Sequence, residues 1–265
     1  PPRSTLFPYT TLFRSAVGTL ERAVALKSDA KEGWYNLGVA YGRKKMYSKE
    51  IQAYRKALEL DPNYVNALHN LGMAQLDLGQ KDEGILSLKK AVELAPDASD
   101  SWNNLGVALM ESGDLPAALE AFRKLVEVTP ESPEAQFNLG IVLMRLAEKE
   151  TSDERREPLY REALDANQRA LDADPKAYRA AYNRGVIFHV LGDTASEIAA
   201  YQKALAVRPS YGAALYNLAA AYSLKGERDP AVEAWEAYVK AVRSDPAERV
   251  FMENARKEVL RLRGL

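Results

Sequence analysis

Few residues in this chain have the types that catalysis requires. Histidine occurs only at positions 69 and 189, and cysteine is absent. A catalytic nucleophile needs a base beside it, and a metal site needs several ligands at characteristic spacings. His69 and His189 are far apart in the sequence, and neither belongs to such a spacing. Acidic pairs are frequent, but in a chain that is 28% charged they are typical of solvated helix faces. The sequence therefore predicts no enzyme, no metal site and no cofactor.

Asparagine and aromatic residues recur instead, and their chemistry suits binding. Each asparagine of the recurring set follows a residue that is aromatic in most cases, and a carboxamide offers both hydrogen-bond donors and acceptors. The asparagines, which we call the asparagine ladder, are Asn36, Asn70, Asn104, Asn138, Asn183 and Asn217. The residues before them are Tyr35, His69, Asn103, Phe137, Tyr182 and Tyr216.

Charge and hydropathy exclude several classes of partner. The chain has 36 Lys and Arg against 37 Asp and Glu among its 265 residues. With no excess positive charge, we expect neither nucleic acid nor an anionic membrane surface as the partner. No apolar stretch reaches the roughly 18 residues that a membrane-spanning helix needs, so we expect no membrane insertion. The lack of cysteine is compatible with either cytoplasm or periplasm, and the compartment stays open.

A period of 34 residues organises the sequence. Trp34, Leu37, Gly38 and Tyr41 recur 68 residues later as Trp102, Leu105, Gly106 and Leu109, and related sets fill the offsets between and after them. Residues at these offsets share one helix face. A second apolar set follows in each block, as in Tyr54 with Ala57, and a proline such as Pro62 ends the block. Each period therefore contains two helices.

This pattern resembles the tetratricopeptide repeat family, and residues 32–63 nearly match its consensus. The resemblance implies an all-α fold, an α-solenoid of antiparallel helix pairs wound into a right-handed superhelix. Glu50 and Glu197 depart from the family pattern, since an alanine usually stands at this closest helix contact. We number the six predicted repeats 1 to 6, and they comprise residues 31–64, 65–98, 99–132, 133–177, 178–211 and 212–245.

Repeat 4 is longer than the others because it carries an 11-residue insertion at residues 147–157. Eleven residues make about three helical turns, so both helices of this repeat can lengthen. Pro158 is expected in the first turn of the second helix. The insertion is either a solvated protrusion or a second binding element.

The two ends of the chain differ. Residues 246–265 are predicted to form a capping helix, with Asp245 as N-cap, Pro246 in the first turn and Glu248 as the capping-box acid. Its expected apolar stripe is Phe251, Ala255, Val259 and Leu262, and Tyr238 in repeat 6 replaces the usual alanine. Residues 16–30 read as the second helix of a truncated repeat. Residues 1–15 contain three prolines, lack the repeat signature and resemble a translated adapter oligonucleotide, so we interpret them as a non-native leader.

The resemblance also implies where a ligand would bind. In this family the first helix of each repeat lines a concave groove, which the asparagine ladder and the residues before it would face. The ladder is similar to that of O-linked N-acetylglucosamine transferases, and it could pair with successive peptide groups of an extended chain. The residues at the ninth helix positions would complete an apolar floor, and they are Val39, Met73, Val107, Ile141, Val186 and Ala220.

Residues at the second helix position argue against capture of a C-terminal carboxylate. Chaperone adaptors of this family have lysine there, whereas Glu32, Asp100 and Glu134 would repel an acid. The predicted function is therefore a scaffold that binds a protein or peptide segment in its groove. Two alternatives remain: the repeat segment of a larger enzyme, such as a glycosyltransferase, and an assembly factor that uses its convex face or the insertion.

Overall fold

A computed structural model of the chain describes the backbone of residues 9–264 and the side chains of residues 16–264. The described residues form α-helices and one short 3₁₀ helix, without strands, which confirms the predicted all-α fold. The chain divides into two compact units, Pro1–Val128 and Thr129–Leu265, which we call the N-terminal and C-terminal units.

The N-terminal unit contains seven helices among its described residues. They are α1 (Tyr9–Leu26), α2 (Lys31–Gly42), α3 (Tyr47–Leu60), α4 (Val65–Asp77), α5 (Lys81–Leu94), α6 (Ser99–Ser112) and α7 (Leu115–Val128). Helix α1 begins at Tyr9, so residues 9–15 of the leader segment are helical. The hypothesis that this segment is non-native stays a prediction.

The described part of the C-terminal unit contains another seven α-helices and the 3₁₀ helix Pro246–Glu248. The α-helices are α8 (Pro133–Lys149), α9 (Asp153–Ala173), α10 (Tyr178–Leu191), α11 (Thr194–Val207), α12 (Gly212–Lys225), α13 (Arg228–Val242) and α14 (Arg249–Arg263). In both units, each helix packs mainly against its neighbours in the chain, so the helices pair into consecutive hairpins.

Local sequence explains how the helices begin and end. Helix α8 is capped by Ser132, whose hydroxyl accepts a hydrogen bond from the Ala135 amide at 3.2 Å, and Pro133 occupies its first turn. Helices α6 and α10 are followed by Gly113 and Gly192, where φ is 89° and 78°. Glycine takes this left-handed conformation without steric cost, so the chain can turn sharply into the second helix of the hairpin.

In repeats 1 to 5, the two helices of the hairpin come into close contact at a glycine in the first helix. A Cβ atom added to Gly38 would lie 2.5 Å from Cε1 of Tyr54, and one added to Gly106 would lie 2.6 Å from Cε1 of Phe122. Tyr54 and Phe122 are almost completely buried. The aromatic ring of the second helix therefore occupies the space that a side chain would need.

The insertion lengthens both helices of repeat 4, as expected, since α8 has 17 residues and α9 has 21. The expectation for Pro158 was wrong. It lies inside α9, which begins five residues earlier at Asp153. Asp153 and Glu154 supply negative charge to the first turn, where it is favourable to the helix dipole, so the helix starts ahead of the proline.

The C-terminal helix differs from its prediction in two places. Asp245 caps the 3₁₀ helix, since its carboxylate accepts from the Ala247 amide at 2.9 Å. Glu248 does not complete a capping box, because its carboxylate accepts a hydrogen bond from the Tyr238 hydroxyl at 2.7 Å. Met252, not Phe251, joins Ala255 and Leu262 on the buried stripe. The short 3₁₀ turn precedes α14 and shifts its register relative to a helix that starts at Pro246.

We predict that Gly106→Ala destabilises the N-terminal unit by about 2 kcal/mol, because the methyl group would overlap the Phe122 ring in a packed core. Circular dichroism melts would measure the loss. Gly18→Ala is the matched control, since a Cβ atom at this position in α1 meets nothing within 4 Å. There the alanine should raise the free energy of unfolding by about 0.5 to 1 kcal/mol, because alanine has a higher helix propensity than glycine. Equal effects of the two changes would contradict the packing role of Gly106.

Candidate functional site

The asparagine ladder lies on the first helix of each hairpin. Asn36, Asn70 and Asn104 belong to α2, α4 and α6, and Asn138, Asn183 and Asn217 belong to α8, α10 and α12. Asn36 is exposed and the other five are half-buried. The residues before them, and those at the ninth positions, are all half-buried as well. These positions therefore form a partly accessible face on each of the six helices.

Several of these side chains also contribute to the core. Tyr35 and Val39 pack against a buried cluster that contains Tyr54 and Leu71. The corresponding residues of the C-terminal unit that pack against its core are Phe137, Tyr182, Val186, Tyr216 and Ala220. The predicted apolar floor is thus partly used for packing between hairpins, and the remaining part faces solvent.

Three ladder amides contact the preceding repeat. Nδ2 of Asn70 donates a hydrogen bond to the Tyr35 hydroxyl at 3.2 Å. Nδ2 of Asn217 donates to the Tyr182 hydroxyl at 3.3 Å. Nδ2 of Asn104 lies 3.5 Å from Nε2 of His69. The sequence analysis assigned these amides to a ligand and missed this link, although the constant offset of 35 residues between the partners was visible in the sequence.

The link orients these three carboxamides. A carboxamide carries two N–H donors and a carbonyl oxygen with two lone pairs, so one hydrogen bond to a tyrosine uses only part of its capacity. Because the amide is held in place before a ligand arrives, binding would cost less side-chain entropy. Packing between repeats and ligand binding are therefore compatible roles for the ladder.

One arrangement of tyrosines occurs in both units. Tyr35 lies 5.8 Å from Tyr54 and 5.2 Å from Tyr64, measured between ring centroids. In the C-terminal unit, Tyr182 lies 5.8 Å from Tyr201 and 5.2 Å from Tyr211. Asn217 also donates to the Tyr201 hydroxyl at 3.3 Å, and Asn70 hydrogen-bonds to Tyr54. We call these two sets of three rings the tyrosine triads.

The glutamates that depart from the family pattern lie one helical turn before a triad tyrosine, Glu50 before Tyr54 and Glu197 before Tyr201. Glu50 is 9% exposed, and a Cβ atom at Gly42 would lie 2.5 Å from its Oε1, so the missing side chain at residue 42 provides its space. Glu197 is 3% exposed, and its Oε1 lies 3.1 Å from Nδ1 of His189. The packing at these unusual residues therefore depends on a glycine in one repeat and on a close polar contact with a histidine in the other.

His69 has a partner that the sequence analysis missed. Its Nδ1 lies 2.8 Å from the Ser101 hydroxyl oxygen, across the boundary between repeats 2 and 3. Burial lowers the pKa of the His69 imidazole. Ser101 is only 3% exposed, so its hydroxyl has no room for a substrate, and the pair joins adjacent repeats.

Aromatic rings also cluster at the end of the C-terminal unit. The Tyr216 ring lies 4.9 Å from Trp235, 5.3 Å from Tyr238 and 5.9 Å from Phe251, all in edge-to-face geometry. Phe251 is 50% exposed. Tyr238 replaces the small residue expected there, and its hydroxyl reaches Glu248, so α14 packs on repeat 6 where another repeat would otherwise lie.

Residues at the second helix position are exposed wherever they occur. They are Glu32, Asn66, Asp100, Glu134, Arg179 and Ala213. Of these residues only Arg179 is basic. The absence of a carboxylate clamp stays a prediction. Within the described part of the chain, no helix has the length and apolar character needed to cross a bilayer.

Paired helical hairpins with a recurring amide and aromatic face define a helical-repeat protein. Models of the tetratricopeptide repeat match residues 32–64, 69–133, 108–151, 156–211 and 213–242, which is most of the chain. The chain therefore belongs to the tetratricopeptide repeat family. No curated protein matches its sequence.

Solved structures give the same fold. The C-terminal part of a TPR repeat-containing protein from Cytophaga hutchinsonii is 16% identical, with 94% of this chain and 95% of that chain covered and a TM-score of 0.74. YrrB, described as a TPR protein with an unusual peptide-binding site, is 22% identical, with 76% and 98% covered and a TM-score of 0.65. PilF of Pseudomonas aeruginosa is 16% identical, with 86% and 98% covered and a TM-score of 0.63.

We predict that the stability of the N-terminal unit falls with rising pH because of Glu50. Burial raises the pKa of the Glu50 carboxyl from 4.5 to about 7, so between these values the folded state binds the proton more tightly than the unfolded state. The stability that the protonated Glu50 carboxyl contributes below pH 4.5 is lost as the pH rises to about 7. Glu50→Gln should therefore stabilise the protein near pH 8 by about 2 to 3 kcal/mol and leave it nearly unchanged near pH 5. Circular dichroism melts at both pH values measure this.

Glu59→Gln on the same helix is the matched control. The Glu59 side chain is 61% exposed and pairs with Lys56 at 2.6 Å. Its replacement should change stability by less than about 0.5 kcal/mol at either pH. If the two variants melt alike at both pH values, the buried Glu50 carboxyl is not the source of the pH dependence.

Proposed function

We propose that this chain is a protein-interaction scaffold in which each unit can hold an extended peptide segment along its own asparagines of the ladder. The observation that carries the proposal is the recurrence of half-buried carboxamides, three of which are oriented by a residue of the preceding repeat. Carboxamides in fixed orientation can pair with peptide N–H and C=O groups, which every sequence possesses. Recognition of this kind tolerates variation in the side chains of the partner.

The residues beside the ladder would contribute apolar contact. Tyr35, Tyr182 and Tyr216 are half-buried, so each presents part of a ring to solvent beside a ladder amide. Tyrosine supplies a large contact area and loses little conformational entropy on binding. YrrB, which shares this fold, is described as having a peptide-binding site. Because a neutral hydrogen bond contributes only about 1 kcal/mol, we expect affinities nearer micromolar than nanomolar.

We predict that peptide binding depends on the amide N–H groups of Asn70 and Asn217. Aspartate has the same shape as asparagine, and its carboxylate can accept a hydrogen bond from the tyrosine hydroxyl that the amide contacts. The Asn70→Asp, Asn217→Asp variant should therefore retain its fold but lose donors to the peptide. Peptides selected from a random-sequence phage library should bind this variant about tenfold more weakly in fluorescence anisotropy.

The control variant is Asn63→Asp, Asn254→Asp, which introduces the same charge at two exposed asparagines outside the ladder. It should bind like the parent chain. If the library yields no binder, or if ladder and control variants bind equally well, groove capture is wrong. Binders that ignore the ladder but depend on charges in the first turns of α9 would favour the alternative of an assembly factor acting through the insertion.

A further inference from the structure

The two tyrosine triads share one geometry but have differently charged surroundings. Each residue around the first triad has a counterpart 147 positions later. The residues near the first triad are Lys31, Glu32 and Asp61, and their counterparts near the second are Tyr178, Arg179 and Arg208. The scaffold is therefore repeated while the charge beside it changes from net negative to positive.

Beside the first triad, the single positive charge is paired with an acid. Nζ of Lys31 lies 2.5 Å from Oδ2 of Asp61 and 5.0 Å from the centre of the Tyr64 ring. Glu32 adds a negative charge on the same helical turn as Lys31. An incoming anion would have to compete with Asp61 for the only cation in this group.

Beside the second triad, two guanidinium groups converge on one tyrosine. Arg208 lies 5.1 Å from the centre of the Tyr178 ring and 5.7 Å from that of Tyr211, and it donates a hydrogen bond to the Tyr178 hydroxyl. Arg179 lies 5.9 Å from the centre of the Tyr178 ring. Both arginines are exposed, and neither has an acidic side chain within 4.0 Å among residues 16–264.

The hydroxyl groups respond to these charges. Hydrogen bonds from Arg179 and Arg208 hold the pKa of Tyr178 below its usual range. Burial raises the pKa of Tyr211, while both arginines act against that rise. Burial also raises the pKa of Tyr64, and there Glu32 and Asp61 add to the rise. The electrostatic difference between the two surroundings is thus visible at equivalent rings.

Two neighbouring positive charges without a counter-ion favour an anion. A guanidinium that stacks on an aromatic ring keeps its N–H groups available at its edge, in a geometry that suits a carboxylate or phosphate. The flat rings of Tyr178 and Tyr211 limit the movement of Arg208, so less entropy is lost when it binds. Arginine clusters of this kind recognise phosphorylated or acidic motifs.

We propose that Tyr178, Arg179, Arg208 and Tyr211 form a binding site for an anionic group on the captured peptide, either a phosphate or an acidic side chain. The site adjoins the ladder through a chain of contacts: Asn217 donates to Tyr182, whose ring lies 5.2 Å from Tyr211, and Tyr211 lies 5.2 Å from Tyr178. This inference rests on the proposed groove capture. It adds a preference for acidic or phosphorylated residues to a groove that otherwise contacts only the backbone of the peptide.

The test uses pools of short random-sequence peptides whose central residue is fixed as serine, glutamate or phosphoserine. Fluorescence anisotropy should show that the phosphoserine and glutamate pools bind the parent chain about tenfold more tightly than the serine pool. Arg179→Gln with Arg208→Gln should abolish this preference and leave the serine pool unaffected. If only the phosphoserine pool binds more tightly than the serine pool, the recognised group is a phosphate. If the phosphoserine and glutamate pools gain equally, the site recognises the negative charge of either group.

A matched control removes two other exposed arginines of the same unit. Arg169→Gln with Arg228→Gln gives the same change in net charge on α9 and α13. This variant should keep the preference for the acidic pools. Any contribution of long-range attraction between the chain and the peptide is screened by added salt. If the control loses the preference as fully as the Arg179 and Arg208 variant, general charge is responsible and the site is refuted.

A second measurement separates this inference from groove capture. Inorganic phosphate is titrated into the parent chain while the side-chain Nε–H resonance of Arg208 is followed by NMR. A saturable shift that is lost or strongly weakened in the Arg179→Gln variant, which keeps the Arg208 resonance, supports the site even if no peptide pool binds. If the serine pool binds and acidic groups add nothing, capture stands and the anion site fails. If phosphate causes no saturable shift of the Arg208 resonance, the anion site is refuted, whether or not the peptide pools bind.

Discussion

The close approach of two helices at a glycine is the contact on which the other features of this protein depend. In repeats 1 and 5, the ring of Tyr54 or Tyr201 lies against a glycine of the preceding helix, where a Cβ atom would overlap it. This contact buries the ring and sets the position of its hydroxyl at the edge of the hairpin. In each case the hydroxyl then meets an asparagine of the next repeat. Helix packing thereby orients the candidate binding groups.

Departures from the repeat pattern are accommodated locally. Glu50 fits because residue 42 is glycine, and Glu197 fits because residue 189 is a histidine that pairs with it. In repeat 6, Tyr238 occupies a place that is usually small, and its hydroxyl is satisfied by Glu248. A buried polar group costs free energy unless it finds a partner, so each unusual residue requires a second one nearby.

Repetition also allows one scaffold to carry different chemistry. The two tyrosine triads have the same spacing because the same glycine contact and the same asparagine position them. The residues that surround them lie near helix ends, where substitutions do not disturb the core. There Lys31 pairs with Asp61, whereas Arg208 stacks on Tyr178. Differences in binding preference can therefore arise without any change in the fold.

The sequence alone determined the class of fold and the face that carries the asparagine ladder, because a 34-residue period with apolar residues at helical spacing admits few other arrangements. It also predicted the lengthened helices of repeat 4. Periodicity cannot identify partners in neighbouring repeats, however. Only the tertiary structure decided that Asn70 donates to Tyr35, that Ser101 meets His69 and that Met252, rather than Phe251, is buried. The reason is physical: a repeat pattern fixes the face on which a side chain lies, whereas hydrogen bonds and stacking depend on distances of a few ångströms between helices that are separate in the sequence.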